Sequence, residues 1–495
     1  MPCLAFRLRS ATLALPLLVN LTVAKAADLP PTAKALDALV ASYHAAGQFN
    51  GNVLVVKDGA ILLEKGYGLA SFEQRVPNAP DTKHWFASVS KTFTATTVMR
   101  LVDRGLLRLD AHVSDLLPDY RRDTGQRVTV RMLLNHTSGI PDYMHLPDVG
   151  REGFTRQVGE DPIELKTFVK RWCSADLAFE PGSRWSYSNS GYVLLGAIIE
   201  TVTGKPFAQV VREEILEPAG MKDTRDLAGD PRAVVEGLTP GYENRGTRLV
   251  TRRPWNLSTV YAAGGMVGPL RDLERFDRIL ERPDFLSATS RAAMFTEGLG
   301  HWGCGWEVRQ LPIGPDKALR TVLGHEGYLF WTLARIYRVP EERLFIALIN
   351  NTGDAPLPKL FEGLTDLLAG RTPVTPKPYV SRALRLALEA KGPEHLAARY
   401  QELKTKEGQA WDFSERVLNG FGYELLEERR LEAALAAFRI NVQAFPESGN
   451  AWDSLGEGLA TLGRKPEAIQ AYRRAVSLDP SNKNAPDMLK RLGVD

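Results

Sequence analysis

The 495-residue sequence has few cysteines, no excess of charge of one sign and a single long apolar run. Three cysteines exclude the disulfide framework of a small secreted domain, although a pairing of Cys173 with Cys304 stays open. A formal net charge of +3 is small for this length and does not indicate a polyanionic partner, so no nucleic-acid partner is expected. The length of the chain predicts two or three domains.

The long apolar run lies at the N-terminus. ATLALPLLVNLTVA, at 11–24, follows two arginines and leads into Ala24-Lys25-Ala26, a small-x-small pattern typical of a cleavage site. We interpret residues 1–26 as a secretory signal peptide, which predicts a secreted or periplasmic chain with no transmembrane segment after cleavage. A membrane anchor is the alternative, but Pro16 and Asn20 interrupt a run that is short of the roughly 20 residues a bilayer needs.

Apolar patterns divide the rest of the chain. Two β-rich runs flank Asp58-Gly59 and predict a β-hairpin over residues 49–71. Helical spacing predicts a helix from Ser88 to about Arg104, followed by an α-rich region to about residue 255. Strand-like runs return at 320–350. Strands before and after the helices predict a mixed sheet with a helical insertion.

The last part of the chain has a repeat. Three prolines in TPVTPKP predict a stiff linker at 371–379, and residues 380–495 have helical patterns. A period of 34 residues pairs Leu418 with Trp452, Gly422 with Gly456, Leu425 with Leu459, Ala434 with Ala468, Phe438 with Tyr472 and Pro446 with Pro480. These positions resemble tetratricopeptide repeats. Residues 379–410 are expected to add a degenerate helical pair, and the tail either binds a protein partner or packs on the preceding domain.

Three short motifs hold reactive residue types. Ser88-Val89-Ser90-Lys91 places a serine and a lysine on one face of the predicted helix, where an amine can reach the hydroxyl. Tyr187-Ser188-Asn189 presents a phenol and an amide two residues apart. His325-Glu326-Gly327 combines a proton carrier with a residue that allows close backbone approach. Each motif alone is weak, and Ser-x-x-Lys by itself favours a simple helix cap at Ser88 with a solvated Lys91, because the pattern is common by chance.

In this order, the three motifs resemble the serine penicillin-recognising family, which includes class C β-lactamases, D-alanyl-D-alanine carboxypeptidases and related esterases. LLNHTSGIPDY at 133–143 and AAGGMVGPLRDLERF at 262–276 resemble the same family. The resemblance implies an α+β fold, in which a mixed antiparallel sheet with flanking helices lies beside an all-α subdomain. The predicted units are a signal peptide, a hydrolase domain, a linker and an all-α repeat tail, at 1–26, 27–370, 371–379 and 380–495.

The resemblance also implies catalytic roles. Ser88 would attack a carbonyl and form an acyl-enzyme. Lys91 would deprotonate Ser88 or hold Tyr187 as a phenolate, and the choice of general base stays open between these two residues. Tyr187 would pass the proton to the leaving group. Asn189 would bind the acyl side of the substrate.

The third motif departs from the β-lactamase pattern, because His325 stands where those enzymes have lysine. A histidine is only partly charged near pH 7, which weakens the case for β-lactamase activity and favours an esterase or a peptidase. Gly327 and Tyr328 are predicted to bind substrate, the backbone amides of Tyr328 and Ser88 forming an oxyanion hole. No metal or cofactor is predicted, since Leu329 stands where a zinc-protease helix would have its second histidine.

The sequence therefore predicts a secreted serine hydrolase that acts on a small-molecule or peptide substrate. The bond cleaved would be an ester, an amide, a D-amino-acid peptide bond or a β-lactam-like bond. The alternative is a penicillin-recognising binding or sensing module with little turnover, whose repeat tail is the partner surface. The complete set of Ser88, Lys91, Tyr187 and Asn189 favours the enzyme. His136, in the 133–143 segment, is expected to be structural.

Overall fold

The computed structural model describes residues 31–146, 162–228, 234–244, 249–251, 256–353 and 355–494. The signal peptide predicted at 1–26 lies outside the described residues and stays a prediction. An α+β part ends with a helix at Leu368, and an all-helical tail begins at Val380. The predicted linker lies between them.

A six-stranded antiparallel sheet forms the centre of the α+β part. Its strands are β1 Gly51–Lys57, β2 Ala60–Tyr67, β10 Glu307–Pro312, β11 Leu319–Leu329, β12 Thr332–Val339 and β13 Leu344–Asn350, in the spatial order β10-β11-β12-β13-β1-β2. The predicted hairpin is β1 and β2, and the runs at 320–350 are β11 to β13. Gly51 pairs with Asn350 and Lys57 with Leu344, so the first and last strands meet inside one sheet. These features confirm the predicted fold class.

Among the described residues, seven short strands lie within or next to the region, up to about residue 255, that the sequence predicts to be α-rich. They are β3 Leu69–Ser71, β4 Val76–Pro77, β5 His84–Trp85, β6 Arg225–Asp226, β7 Tyr242–Asn244, β8 Leu249–Thr251 and β9 Met266–Gly268. β5, β9 and β6 form a small sheet. Strands of two or three residues have too few side chains for a period-2 pattern, so the sequence did not predict them. The small sheet holds the segment before Ser88 beside the segment after Ala263.

Helices cover both faces of the large sheet. They are α1 Pro31–Ala45, α2 Ser90–Asp103, α3 Val113–Leu116, α4 Arg122–Gly125, α5 Val130–Leu134, α6 Leu165–Trp172, α7 Asn189–Thr203, α8 Phe207–Val211, α9 Glu217–Ala219, α10 Tyr261–Gly264, α11 Leu270–Leu280, α12 Ala288–Phe295 and α13 Leu357–Leu368. The helix predicted from Ser88 begins two residues later, because Ala87–Val89 forms a 3₁₀ turn.

Strand β1 shows how the sheet separates two hydrophobic cores. Val53 and Val55 point to one face, where α1 and α13 pack, and Leu54 and Val56 point to the other. Successive strand residues face opposite sides, so a continuous apolar run is needed where both faces are covered. The second face packs against α2 and the helical insertion, and this layer contains the motif residues.

The tail has its own hydrophobic core. Its helices are α14 Val380–Lys391, α15 Leu396–Glu407, α16 Glu415–Glu427, α17 Leu431–Ala444, α18 Gly449–Thr461, α19 Lys465–Leu478 and α20 Asn484–Arg491. The degenerate pair predicted at 379–410 is α14 and α15. A side chain at Gly456 would lie 2.8 Å from the Tyr472 ring, and Gly422 has the same relation to Phe438, which explains both repeated glycines.

Two further expectations concern membranes and thiols. Within the part of the chain that the structure describes, no helix combines the length and apolarity that crossing a bilayer requires. Cys173 and Cys304 are both buried as free thiols, so the disulfide that the sequence left open does not form in this structure.

Candidate active site

Ser88 lies in the 3₁₀ turn immediately before α2, where it is half-buried. Ala87, the preceding residue, has a positive φ of 50°, a conformation that is rare outside glycine. The amide of Phe86 donates to the Met266 carbonyl over 2.9 Å and ties the turn to β9. A tightly held backbone therefore fixes Ser88 just before the N-terminus of α2.

Lys91 is fully buried one helical turn from Ser88. Its Nζ donates to Ser88 Oγ at 3.0 Å, to Asn189 Oδ1 at 2.8 Å and to the Ala263 carbonyl at 2.7 Å. Burial lowers the pKa of Lys91 to about 7, although the negative charge of Asp142 acts in the opposite direction. An amine with this pKa is partly unprotonated at neutral pH and can accept the Ser88 proton.

Tyr187 lies over the same lysine, with its ring centre 5.1 Å from Lys91 Nζ. Its ring stacks on His136 at a centroid distance of 4.3 Å, and His136 Nδ1 accepts from the Ser188 amide at 3.1 Å. Burial raises the pKa of Tyr187, and a hydrogen bond with the Ser88 side chain only partly offsets that effect. Tyr187 is thus a neutral phenol near pH 7, and His136 holds its ring in place.

Asn189 is the first residue of α7, and Ser188 caps that helix by accepting from the Gly191 amide at 3.3 Å. Asn189 Oδ1 accepts from Lys91, and Asn189 Nδ2 donates to Asp142 Oδ2 at 2.8 Å. The structure therefore places the amide that was predicted to bind substrate against the Lys91 amine. Asp142 was not predicted as a site residue, although it lies in the 133–143 segment that resembles the family.

Strand β11 brings the third motif to Ser88. Its pairing with β10 ends at Gly324, whereas its pairing with β12 continues to Leu329. A Cβ atom on Gly327 would lie 2.9 Å from the Ser88 amide nitrogen and 3.0 Å from Ala87 Cβ, and closer still to the Phe86 carbonyl oxygen. Only glycine allows the β11 backbone to pack this tightly on the turn.

His325 is buried beside this contact, with its ring 6.5 Å from that of Tyr187 and 5.0 Å from that of Trp302. Its Nδ1 lies 2.6 Å from the Glu326 carbonyl and must donate to it, which leaves Nε2 as an acceptor. Burial, with the nearby charge of Lys91, lowers the pKa of His325 to about 3. The expectation of a partly charged histidine near pH 7 is therefore wrong in this environment.

The Tyr328 side chain points away from the site, as strand alternation requires of the residue after Gly327. It is 46% exposed and borders a cavity of about 520 Å³ with Trp331, the linker residue Tyr379 and the tail residue Arg382. Tyr328 can therefore contribute only its backbone to the chemistry at Ser88. Among the described residues, no three His, Cys, Asp or Glu side chains are grouped to hold a metal ion.

Comparisons with known proteins agree with this geometry. Residues 33–367 match the Beta-lactamase family, and residues 449–482 match the tetratricopeptide repeat. The chain belongs to the Beta-lactamase family, which confirms the resemblance drawn from its three motifs.

Two curated relatives and one solved structure illustrate the match. Penicillin-binding protein 4* of Bacillus subtilis (strain 168) is 30% identical over 329 residues, 62% of this chain and 69% of that protein. Esterase EstB of Burkholderia gladioli is 32% identical over 349 residues, 62% of this chain and 88% of the esterase. The octameric penicillin-binding protein homologue from Pyrococcus abyssi superposes with a TM-score of 0.57 at 26% identity, covering 73% of this chain and 82% of that one.

Proposed function

We propose that this protein is a serine hydrolase that cleaves an ester or amide bond through an acyl-enzyme on Ser88. The observation that supports this most directly is the buried Lys91 amine, which lies 3.0 Å from Ser88 Oγ and has a pKa of about 7. A serine hydroxyl is a weak nucleophile until a neighbouring base accepts its proton. A lysine that burial leaves partly unprotonated at neutral pH meets that need.

The proposed reaction has two stages. In acylation, Ser88 Oγ attacks the substrate carbonyl while Lys91 Nζ takes the hydroxyl proton, and the amides of Ser88 and Tyr328 bind the oxyanion. The carbon–leaving-group bond then breaks, the Tyr187 phenol protonates the departing atom, and the protonated Lys91 amine passes its proton to the Tyr187 oxygen. In deacylation, Lys91 Nζ takes a proton from water as the water oxygen attacks the acyl carbon. The bond from that carbon to Ser88 Oγ then breaks, the proton passes to Ser88 Oγ, and the acid is released. We assign Lys91 as the base in acylation because burial opposes a Tyr187 phenolate.

The substrate class follows from His325. A neutral histidine offers no fixed cation to a substrate carboxylate, such as that of a β-lactam or a D-alanyl-D-alanine terminus. We therefore propose that esters and uncharged amides react faster than either of those substrates. The name of the relative from Burkholderia gladioli, an esterase, supports this order.

Two broader proposals concern location and partners. The N-terminal pattern at 1–26 supports export and cleavage, and N-terminal sequencing of the mature chain after fractionation of the producing cell tests it. The repeat tail supports a protein partner, because tetratricopeptide helices form a continuous concave surface.

The test is turnover of three substrates by the purified protein: a p-nitrophenyl ester, a chromogenic cephalosporin and a D-alanyl-D-alanine peptide. Ser88→Ala removes the nucleophile, and Ser183→Ala, at an exposed position, is the matched control. We expect the ester to turn over fastest, Ser88→Ala to abolish turnover and Ser183→Ala to leave it unchanged. If no substrate turns over and the cephalosporin leaves a stable adduct on Ser88, the result would instead support the binding or sensing module.

A further inference from the structure

We propose that Asp142 is a positioning residue for Lys91 and Asn189, acting through a buried negative charge; this inference rests on the proposed Ser88 hydrolase. The first observation is that the Asp142 side chain is largely buried. The Asp142 side chain is only 9% exposed, although it carries a carboxylate in a layer of apolar and aromatic side chains. Burying a carboxylate is costly unless hydrogen bonds and an opposite charge compensate it.

Asp142 has both kinds of compensation. Oδ1 accepts from the Met144 amide at 3.0 Å and so caps the 3₁₀ turn Tyr143–His145, while Oδ2 accepts from Asn189 Nδ2 at 2.8 Å. The opposite charge is the protonated form of Lys91, whose Nζ bonds the other end of the same amide. Lys91, Asn189 and Asp142 thus form one hydrogen-bonded chain.

The carboxylate fixes which way the Asn189 amide points. A carboxylate only accepts hydrogen bonds, so it selects the NH₂ end of the amide and turns the oxygen toward Lys91. Without the carboxylate, the amide could rotate and present NH₂ to Lys91, which would lose the 2.8 Å contact. The position of the Lys91 amine beside Ser88 depends on that contact.

The titratable group nearest to Asp142 is His145, whose exposed side chain places Nδ1 3.7 Å from Asp142 Oδ2. The titratable side chains that face Lys91 are Tyr187, Tyr192, His136 and His325. Burial raises the pKa of both tyrosines and lowers the pKa of both histidines, so all four are neutral at pH 7. Within the described residues, Asp142 is the carboxylate whose field acts on Lys91, and it favours the protonated amine.

The test is the pH dependence of kcat/KM for a p-nitrophenyl ester, measured on the full chain. Asp142→Asn keeps the shape and removes the charge, and Asp142→Ser is a second uncharged variant that still has a capping oxygen. Lys91 must be unprotonated to act, so we expect the acidic limb of the profile to move down by roughly one pH unit in both variants. The plateau should also fall, because the Asn189 amide is no longer fixed.

The controls separate charge from structure. Asp142→Glu keeps the charge and should leave the limb near its wild-type position. Asp176→Asn, which removes an exposed carboxylate, should change nothing. If the acidic limb has its midpoint at the wild-type pH in both uncharged variants, the inference is overturned, even if the plateau falls. Asp142 would then only cap the 3₁₀ turn. Absence of wild-type turnover would overturn the proposed function first, and this inference with it.

Discussion

Gly327→Ala tests whether β11 must pack against the 3₁₀ turn Ala87–Val89, which contains Ser88. The added Cβ would lie 2.9 Å from the Ser88 nitrogen and 3.0 Å from Ala87 Cβ, and closer to the Phe86 carbonyl oxygen. Ordinary contacts between such atoms are about 3.5 Å or more. Two of the three atoms belong to the backbone and cannot rotate away. The strand and the turn must therefore separate by at least about half an ångström.

That separation affects rate more than stability. Overpacking of this kind costs about 1–3 kcal/mol in the free energy of unfolding. The same shift moves the Tyr328 amide away from the oxyanion position, and loss of one such donor lowers kcat by roughly 100- to 1000-fold. We expect a folded protein with a slightly lower melting temperature and almost no ester turnover.

The assay compares kcat for a p-nitrophenyl ester with the thermal unfolding midpoint. Gly420→Ala is the matched control, because its added Cβ meets nothing within 4 Å on helix α16. That variant should keep wild-type rate and gain up to about 1 kcal/mol of stability from the better helix former. Wild-type rate and stability in Gly327→Ala would refute the reasoning, since β11 would then not lie against the turn.

Three further predictions follow from buried titratable groups. Wild-type kcat/KM should fall about tenfold per pH unit below 7 as Lys91 is protonated. Lys91→Arg stays charged, so its kcat/KM should be at least roughly 1000-fold lower than that of the wild type at any pH. An active arginine variant would contradict this role of Lys91. Tyr187→Phe keeps the ring on His136 and should lower kcat by roughly 100-fold or more without changing the melting temperature, whereas unchanged kcat would exclude the phenol as proton donor. Burial lowers the pKa of His84 to about 3, so the unfolded chain binds a proton that the folded chain excludes. This histidine alone should lower the free energy of unfolding by about 1.4 kcal/mol per unit from pH 6.5 toward 3. His84→Gln should reduce that slope in denaturant titrations, and an unchanged slope would contradict the assignment.

The sequence was most informative where the relevant contacts are local. Ser88 and Lys91 are three residues apart, so helical geometry alone predicts their contact, which the structure shows at 3.0 Å. Asp58-Gly59 is a local turn signal and correctly predicted the first hairpin. The 34-residue period predicted the helical tail, because each repeat makes the same contacts with its neighbour.

Contacts between distant segments could not be predicted in the same way. Asp142 meets Asn189 across 47 residues, and Lys91 meets the Ala263 carbonyl across 172 residues. Asp142 and Ala263 lie in the two segments, 133–143 and 262–276, that resemble the family, but neither residue type indicates these contacts. A backbone carbonyl has no side-chain identity at all. The sequence also could not predict the protonation state of His325, because its lowered pKa arises from burial among residues that are distant in the chain.

The proposed function requires that Ser88 becomes acylated with the help of Lys91. The most direct measurement is peptide mapping by mass spectrometry after a slow-turnover ester or a fluorophosphonate has reacted with the intact protein. We expect one adduct on the peptide that contains Ser88, formed faster as the pH rises through 7, and none in Ser88→Ala. An adduct on another residue, or labelling of Ser88 that does not change with pH, would contradict it.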